Sequence, residues 1–134
     1  MNIMVVEDER IDMKLACAVL ESAGHKILHA ETAESALEIV KEHKPDVVLL
    51  DLVLPGKDGP ALVRQMKQDP STRDIPVVAI TAHPERWPMQ DALAAGCDAY
   101  IVKPVDTRML PSQVLDAARP QPRPEQSNGD GEVR

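Results

Sequence analysis

Five positions carry side chains suited to handling a charged group: Glu7 and Asp8, Asp51, Thr81 and Lys103. Each closes a short apolar run. Ile3-Met4-Val5-Val6 precedes the acid pair, Val47-Val48-Leu49-Leu50 precedes Asp51, Val77-Val78-Ala79-Ile80 precedes Thr81, and Ala99-Tyr100-Ile101-Val102 precedes Lys103. Three carboxylates held within several Å of each other repel unless a cation or protons intervene. All-oxygen ligation favours a hard divalent ion, and partial hydration with phosphate nearby favours Mg2+. Lys103 cannot neutralise three acids alone, but it can pair with an anion carried on Asp51. Taken singly, each residue has a plain structural reading. Glu7 and Asp8 can cap a following helix, Asp51 can shape a turn, Thr81 can be a strand-end hydroxyl, and Lys103-Pro104 an ordinary loop entry. The choice rests on whether the fold brings them together.

Four-residue runs of branched apolar side chains read as strands buried on both faces, the mark of a parallel sheet. Pro55, Gly56 and Gly59 stop the central run soon after Asp51. Between the strands lie helical patterns. Ile11, Leu15, Val19 and Ala23, joined by Ala16 and Leu20, predict a helix closed by Gly24. His25 to Ala30 is shorter and more polar, as an edge strand would be. Thr32 caps a helix with an inner face of Ala33, Ala36, Leu37 and Val40, ended by Pro45. Gly59 to Gln68 makes a third helix around Leu62, Val63 and Met66, and Pro88 to Ala95 a fourth, stopped by Gly96. A turn through Thr107-Arg108-Met109 leads to a last helix opened by Pro111 and running to about Arg119. Strand and helix alternate throughout, which predicts an α/β fold: a doubly wound five-stranded parallel sheet with helices on both faces. In the flavodoxin-like order 2-1-3-4-5 the first and third strands flank the switch point, so their carboxyl ends, with Glu7, Asp8 and Asp51, converge on one crevice.

Composition narrows the function classes. The 134 residues suffice for one domain with one core. A net charge of −7 argues against non-specific attraction to nucleic acid or an anionic membrane. Tyr100 and Trp87 are the only aromatics, so base-stacking platforms are missing. Cys17 and Cys97 have no CxxC spacing and read as reduced packing residues, consistent with a cytoplasmic protein. No apolar stretch approaches a membrane span.

Together, Val5-Val6-Glu7-Asp8, the run Leu49-Leu50-Asp51-Leu52-Val53-Leu54-Pro55-Gly56-Lys57-Asp58-Gly59, Ile80-Thr81-Ala82 and Tyr100-Ile101-Val102-Lys103-Pro104 resemble the receiver domain of bacterial two-component response regulators. The resemblance covers residues 1–118 with the family's spacing between motifs. It implies that Asp51 accepts a phosphoryl group from a phosphohistidine on a histidine kinase or histidine phosphotransfer protein. It further implies a Mg2+ site of Glu7, Asp8, Asp51 and the backbone carbonyl of Val53, with Glu7 acting through water. By the same resemblance Thr81 binds a phosphoryl oxygen, Lys103 salt-bridges it, and Tyr100 swings inward as the switch reader. Val53 and His83 lie two residues past Asp51 and Thr81, where receivers tune hydrolysis. Such a protein is no enzyme in the usual sense: it catalyses only its own phosphorylation and slow self-dephosphorylation.

Residues 119–134 alternate Pro120, Pro122 and Pro124 with polar residues and read as a disordered tail, too short for an output domain, unless it is a linker to one. Output is therefore expected through contact with a downstream protein, on the face made by the fourth helix, fifth strand and fifth helix. A phosphorylation-dependent homodimer is left open. Rival readings are weaker. A nucleotide or flavin module would want a Gly-rich first loop, and the loop here is Glu7-Asp8-Glu9-Arg10. An aspartyl phosphatase would want an acid where Val53 stands. A pseudo-receiver, an unphosphorylated interaction scaffold, usually lacks one of Asp51, Lys103 or the acid pair, and none is missing. The stretch Ala82-His83-Pro84-Glu85-Arg86-Trp87-Pro88 departs from the family pattern, and Trp87 in it either packs over the fourth helix or anchors a partner.

Overall fold

A computed structural model of the protein describes residues 1–54 and 59–118. The turn at Pro55 and Gly56 and the tail from Arg119 onward lie outside the described residues. Five strands, β1 (Asn2–Val6), β2 (Lys26–Ala30), β3 (Val47–Asp51), β4 (Val77–Thr81) and β5 (Ala99–Val102), form one parallel sheet in the order β2-β1-β3-β4-β5. The helices are α1 (Arg10–Ser22), α2 (Ala33–His43), α3 (Gly59–Gln68), α4 (Met89–Ala95) and α5 (Leu110–Ala118). The expected doubly wound topology is the one observed. β3 and β4 are buried along their whole length, whereas the edge strands β2 and β5 are only partly covered, as their more mixed sequences anticipate.

Strand alternation splits the core into two layers. Met4, Val6, Val48, Leu50 and Leu52 face α2, α3 and α4. Ile3, Val5, Leu49, Val78 and Ile80 face α1 and α5. Thr32 caps α2 by accepting the Ser35 N–H at 3.1 Å, and Gly96 closes α4 at φ 119, a left-handed conformation that favours glycine. Asp106 builds the expected turn ahead of α5: its carbonyl accepts the N–H groups of Met109 and Leu110, each at 2.9 Å. Pro111 is then the second residue of the helix, where its missing N–H costs nothing.

The expected inner face of α1 needs correction. Ala16 and Leu20 are buried, Met13, Cys17 and Val19 pack partly against them, but Ile11 is 74% and Leu15 43% exposed. A four-residue recurrence advances about 40° beyond a full turn at each step, so the run 11, 15, 19, 23 winds off the buried face. The first turn of α1 also stands at the carboxyl edge of the sheet, beside the site rather than over a strand. Both cysteines are free, Cys97 buried and Cys17 half-buried, and burial pushes the Cys97 thiol up to about 12. Among the described residues no helix is long and apolar enough to cross a membrane.

Candidate functional site

Register places the charged residues at one edge. Val6 lies level with Leu50, Asp51 with Ile80, and Thr81 with Val102. The ladder continues one residue past β1, β3 and β5: Glu7 N–H donates to Ala30 O (3.0 Å), Leu52 N–H to Ile80 O (3.0 Å) and Lys103 N–H to Thr81 O (2.8 Å). These bonds hold Glu7, Asp51 and Lys103 on backbone as well ordered as the strands themselves. Gly59 N–H donates to Leu52 O at 3.1 Å. A Cβ on Gly59 would come within 2.7 Å of Leu52 Cα and 3.0 Å of Asp51 O, so the start of α3 can approach the loop after Asp51 only because that residue is glycine.

Lys103 is the hub. Its Nζ donates to Glu7 Oε1 at 2.8 Å, Asp12 Oδ2 at 2.8 Å and Asp51 Oδ2 at 2.9 Å. Asp51 Oδ1 meanwhile accepts the Val53 N–H at 2.9 Å, so both carboxylate oxygens are oriented. Glu7 and Asp51 are buried. Burial, reinforced by the hydrogen-bonded Asp51 and only partly offset by Lys103, pushes the Glu7 carboxyl up to about 7. Burial alone would lower the Lys103 ammonium, but its bonds to Asp12, Glu7 and Asp51 outweigh it and leave Lys103 above its ordinary value. One oxygen each of Glu7, Asp8 and Asp51 lie within 4.8 Å of one another. That is an all-oxygen donor set within reach of one hard cation whose shell water would complete, so the residues present fit Mg2+. A cleft of about 330 Å³ opens beside them, walled by Leu15, Ala16, Leu49, Ile80, Pro104 and Val105.

Other expected residues stand nearby but are engaged elsewhere. Thr81 is fully buried, and its Oγ1 accepts the His83 N–H at 2.9 Å. The His83 ring is exposed and lies 3.3 Å from Glu85 Oε1. Tyr100 is half-buried, with its hydroxyl donating to the Trp87 carbonyl. Trp87 packs partly against the core layer under α4, which favours the packing alternative for its ring. Val53 is half-buried in the loop after β3. Sequence reasoning missed Asp12. Its one sequence signal is a spacing of four from Asp8, a helical turn further on, and only the tertiary approach of β5 to α1 gives that spacing meaning.

This geometry agrees with what the chain is similar to. A family model described as the response regulator receiver domain matches residues 3–115. The polar-differentiation response regulator DivK of Brucella anthropi is 35% identical over 104 residues, covering 78% of this chain and 85% of that protein. The phosphate regulon transcriptional regulatory protein PhoB of Pseudomonas aeruginosa is 37% identical over 118 residues, 88% of this chain but 52% of PhoB, so the chain spans about half of that relative. Among solved structures, a response regulator receiver domain protein from Clostridium thermocellum superposes with a TM-score of 0.79 at 27% identity, covering 87% of this chain and 93% of the other. The receiver domain of a Pseudomonas aeruginosa sensor histidine kinase, solved with a magnesium ion coordinated in its active-site cleft, gives a TM-score of 0.81 at 25% identity, with coverages of 87% and 96%. With the acids of β1 and β3 and the lysine after β5 meeting at one edge of a 2-1-3-4-5 sheet, the chain belongs to the receiver domain family of two-component response regulators.

Proposed function

We propose that Asp51 is the phosphoacceptor of this receiver, loaded from a phosphohistidine on a histidine kinase or phosphotransfer protein. The observation that carries this reading is the pairing of Lys103 Nζ with Asp51 Oδ2 at 2.9 Å, inside a carboxylate cluster fit for a divalent ion. Glu7, Asp8 and Asp51, with the Val53 carbonyl, would hold Mg2+, which when bound supplies charge neutralisation at the phosphoryl oxygens. A carboxylate oxygen of Asp51 attacks the phosphorus as the phosphorus–nitrogen bond to the donor imidazole breaks. The bonding pair leaves on that nitrogen, which takes a proton from solvent. Lys103 then pairs with the new dianion, and Thr81 gives up the His83 N–H to turn its hydroxyl toward a phosphoryl oxygen. The chain's own residues thus align and neutralise, which is most of what phosphoryl transfer asks of a protein.

Output passes to a downstream protein over α4, β5 and α5. Met89, Leu93 and Val102 are exposed on α4 and β5, which gives a partner or a second copy an apolar surface to cover. The scaffold reading is the weaker one, because Glu7, Asp8, Asp51 and Lys103, groups of which a pseudo-receiver usually lacks one, are present and Lys103 pairs with Asp51. Incubation with acetyl phosphate and Mg2+, followed by intact-mass measurement, should show one phosphoryl adduct on the parent and none on Asp51→Asn. An undiminished adduct on that variant, mapped to another acid, would overturn the assignment. A parent that stays unmodified while binding Mg2+ would return the scaffold reading.

A further inference from the structure

An ammonium has three N–H donors, and all three of Lys103 are spent on Glu7 Oε1, Asp12 Oδ2 and Asp51 Oδ2. Two of those acceptors belong to the carboxylate set within reach of a metal ion, while Asp12 does not. A divalent ion and an ammonium repel, so an ion settling on Glu7 and Asp51 weakens the hold of Lys103 on them. The lysine side chain is only 16% exposed, and an ammonium that lost all its partners at that depth would be poorly solvated. Asp12 is the outermost of its partners: its side chain is 41% exposed, against 7% for Glu7 and 10% for Asp51. A lysine that pivots onto Asp12 therefore moves away from the metal position and toward solvent, yet keeps an anionic acceptor at its Nζ.

From this geometry we infer that Asp12 is a positioning residue: a holding carboxylate onto which Lys103 is handed when a divalent cation enters, and from which it returns to the phosphoryl group. The handover rests on the metal reading given above. Its consequence is that the ease of Mg2+ binding depends on Asp12 through Lys103, although Asp12 need not touch the ion. The same ion pair ties the first turn of α1 to the loop after β5.

Removing Asp12 also removes one negative charge near the ion, which weakens binding whatever Lys103 does. A double-mutant cycle separates the two effects. Mg2+ affinity is measured by calorimetry for the parent, Asp12→Asn, Lys103→Met and the double variant. Lys103→Gln, which keeps a donor without the charge, serves as a second background in case Lys103→Met folds poorly. Asp12→Asn should weaken Mg2+ binding about fivefold when Lys103 is present and less than about twofold in either lysine-free background. Asp12→Glu, which keeps the carboxylate on one more methylene, should hold affinity near the parent's. Equal losses with and without Lys103, or tighter binding by Asp12→Asn, overturn the handover alone. A parent that takes up no Mg2+ overturns both the handover and the metal reading beneath it.

Discussion

Under the proposed role of Asp51, Val53 and His83 are the two side chains expected to flank water on its way to an aspartyl phosphate. The Val53 N–H is committed to Asp51 Oδ1 at 2.9 Å, and its isopropyl group can neither donate to nor accept from a water approaching the phosphorus in line. On the neighbouring loop the His83 ring is drawn to Glu85, 3.3 Å away, on the exposed side. With Val53 apolar and the His83 ring drawn toward Glu85, a phosphoryl group on Asp51 should be long-lived. Val53→Asn should shorten its lifetime by on the order of tenfold, about 1.4 kcal/mol of barrier, and Val53→Ala by less. Decay of the adduct followed by intact mass after removal of the donor tests this. A parent that already decays fast, and no faster as Val53→Asn, would show that this wall does not govern the water.

Between β4 and α4 the loop is tied at both ends, which under the proposed phosphoacceptor role makes it the element a phosphoryl group on Asp51 would act on. At one end Thr81 Oγ1 holds the His83 N–H at 2.9 Å. At the other Tyr100 donates to the Trp87 carbonyl, and the N–H groups of Arg86 and Trp87 both bond to His83 O at 3.0 Å. If the proposed phosphoryl group draws the Thr81 hydroxyl toward it, the first tie should break and the surroundings of Trp87 should shift with the His83 backbone its N–H is bonded to. Trp87 is the only tryptophan, so its emission should change on addition of Mg2+ and beryllofluoride. Tyr100→Phe, which removes the second tie, should cost about 1 kcal/mol of stability and alter the emission before any ligand is added. A flat titration alongside calorimetrically proven Mg2+ binding would show the loop to be uncoupled from the site.

For the molecule as a whole, the buried cluster makes metal-free stability depend on pH. Glu7 titrates near 7 in the folded protein against 4.5 for its ordinary value, so the folded state holds the proton more tightly than the unfolded chain does. The stability this confers is fully present below pH 4.5 and is lost as pH rises through about 7. In EDTA, the parent should lose about 1–3 kcal/mol over that window relative to Glu7→Gln, which has no proton to release. Added Mg2+ should restore the parent near neutrality, because binding to the ionised carboxylates stabilises the folded state by mass action. Denaturant melts at a series of pH values, with and without Mg2+, provide the measurement. Parallel curves for parent and variant would show that Glu7 does not carry the dependence.

Amphipathic alternation, proline and glycine punctuation and four apolar runs ending in polar residues were enough to specify a doubly wound parallel sheet from the sequence alone. The physical reason is that doubly buried strands and one-faced helices leave few ways to cover each other. Glu7, Asp8, Asp51, Thr81 and Lys103 were legible because each ends an apolar run, and topology forces parallel strand ends to one edge. What the sequence left undetermined depends on distances that no local pattern encodes. The buried face of α1 departs from the sequence pattern at Ile11 and Leu15, since helical spacing alone does not say where the supporting sheet stops. Gly59 owes its role to the backbone of Leu52 lying against it, seven residues away in sequence. Only the folded chain carries Lys103 across ninety-one residues to Asp12, and there a half-buried acid on a first helical turn becomes part of the site because an ammonium has a third N–H to place.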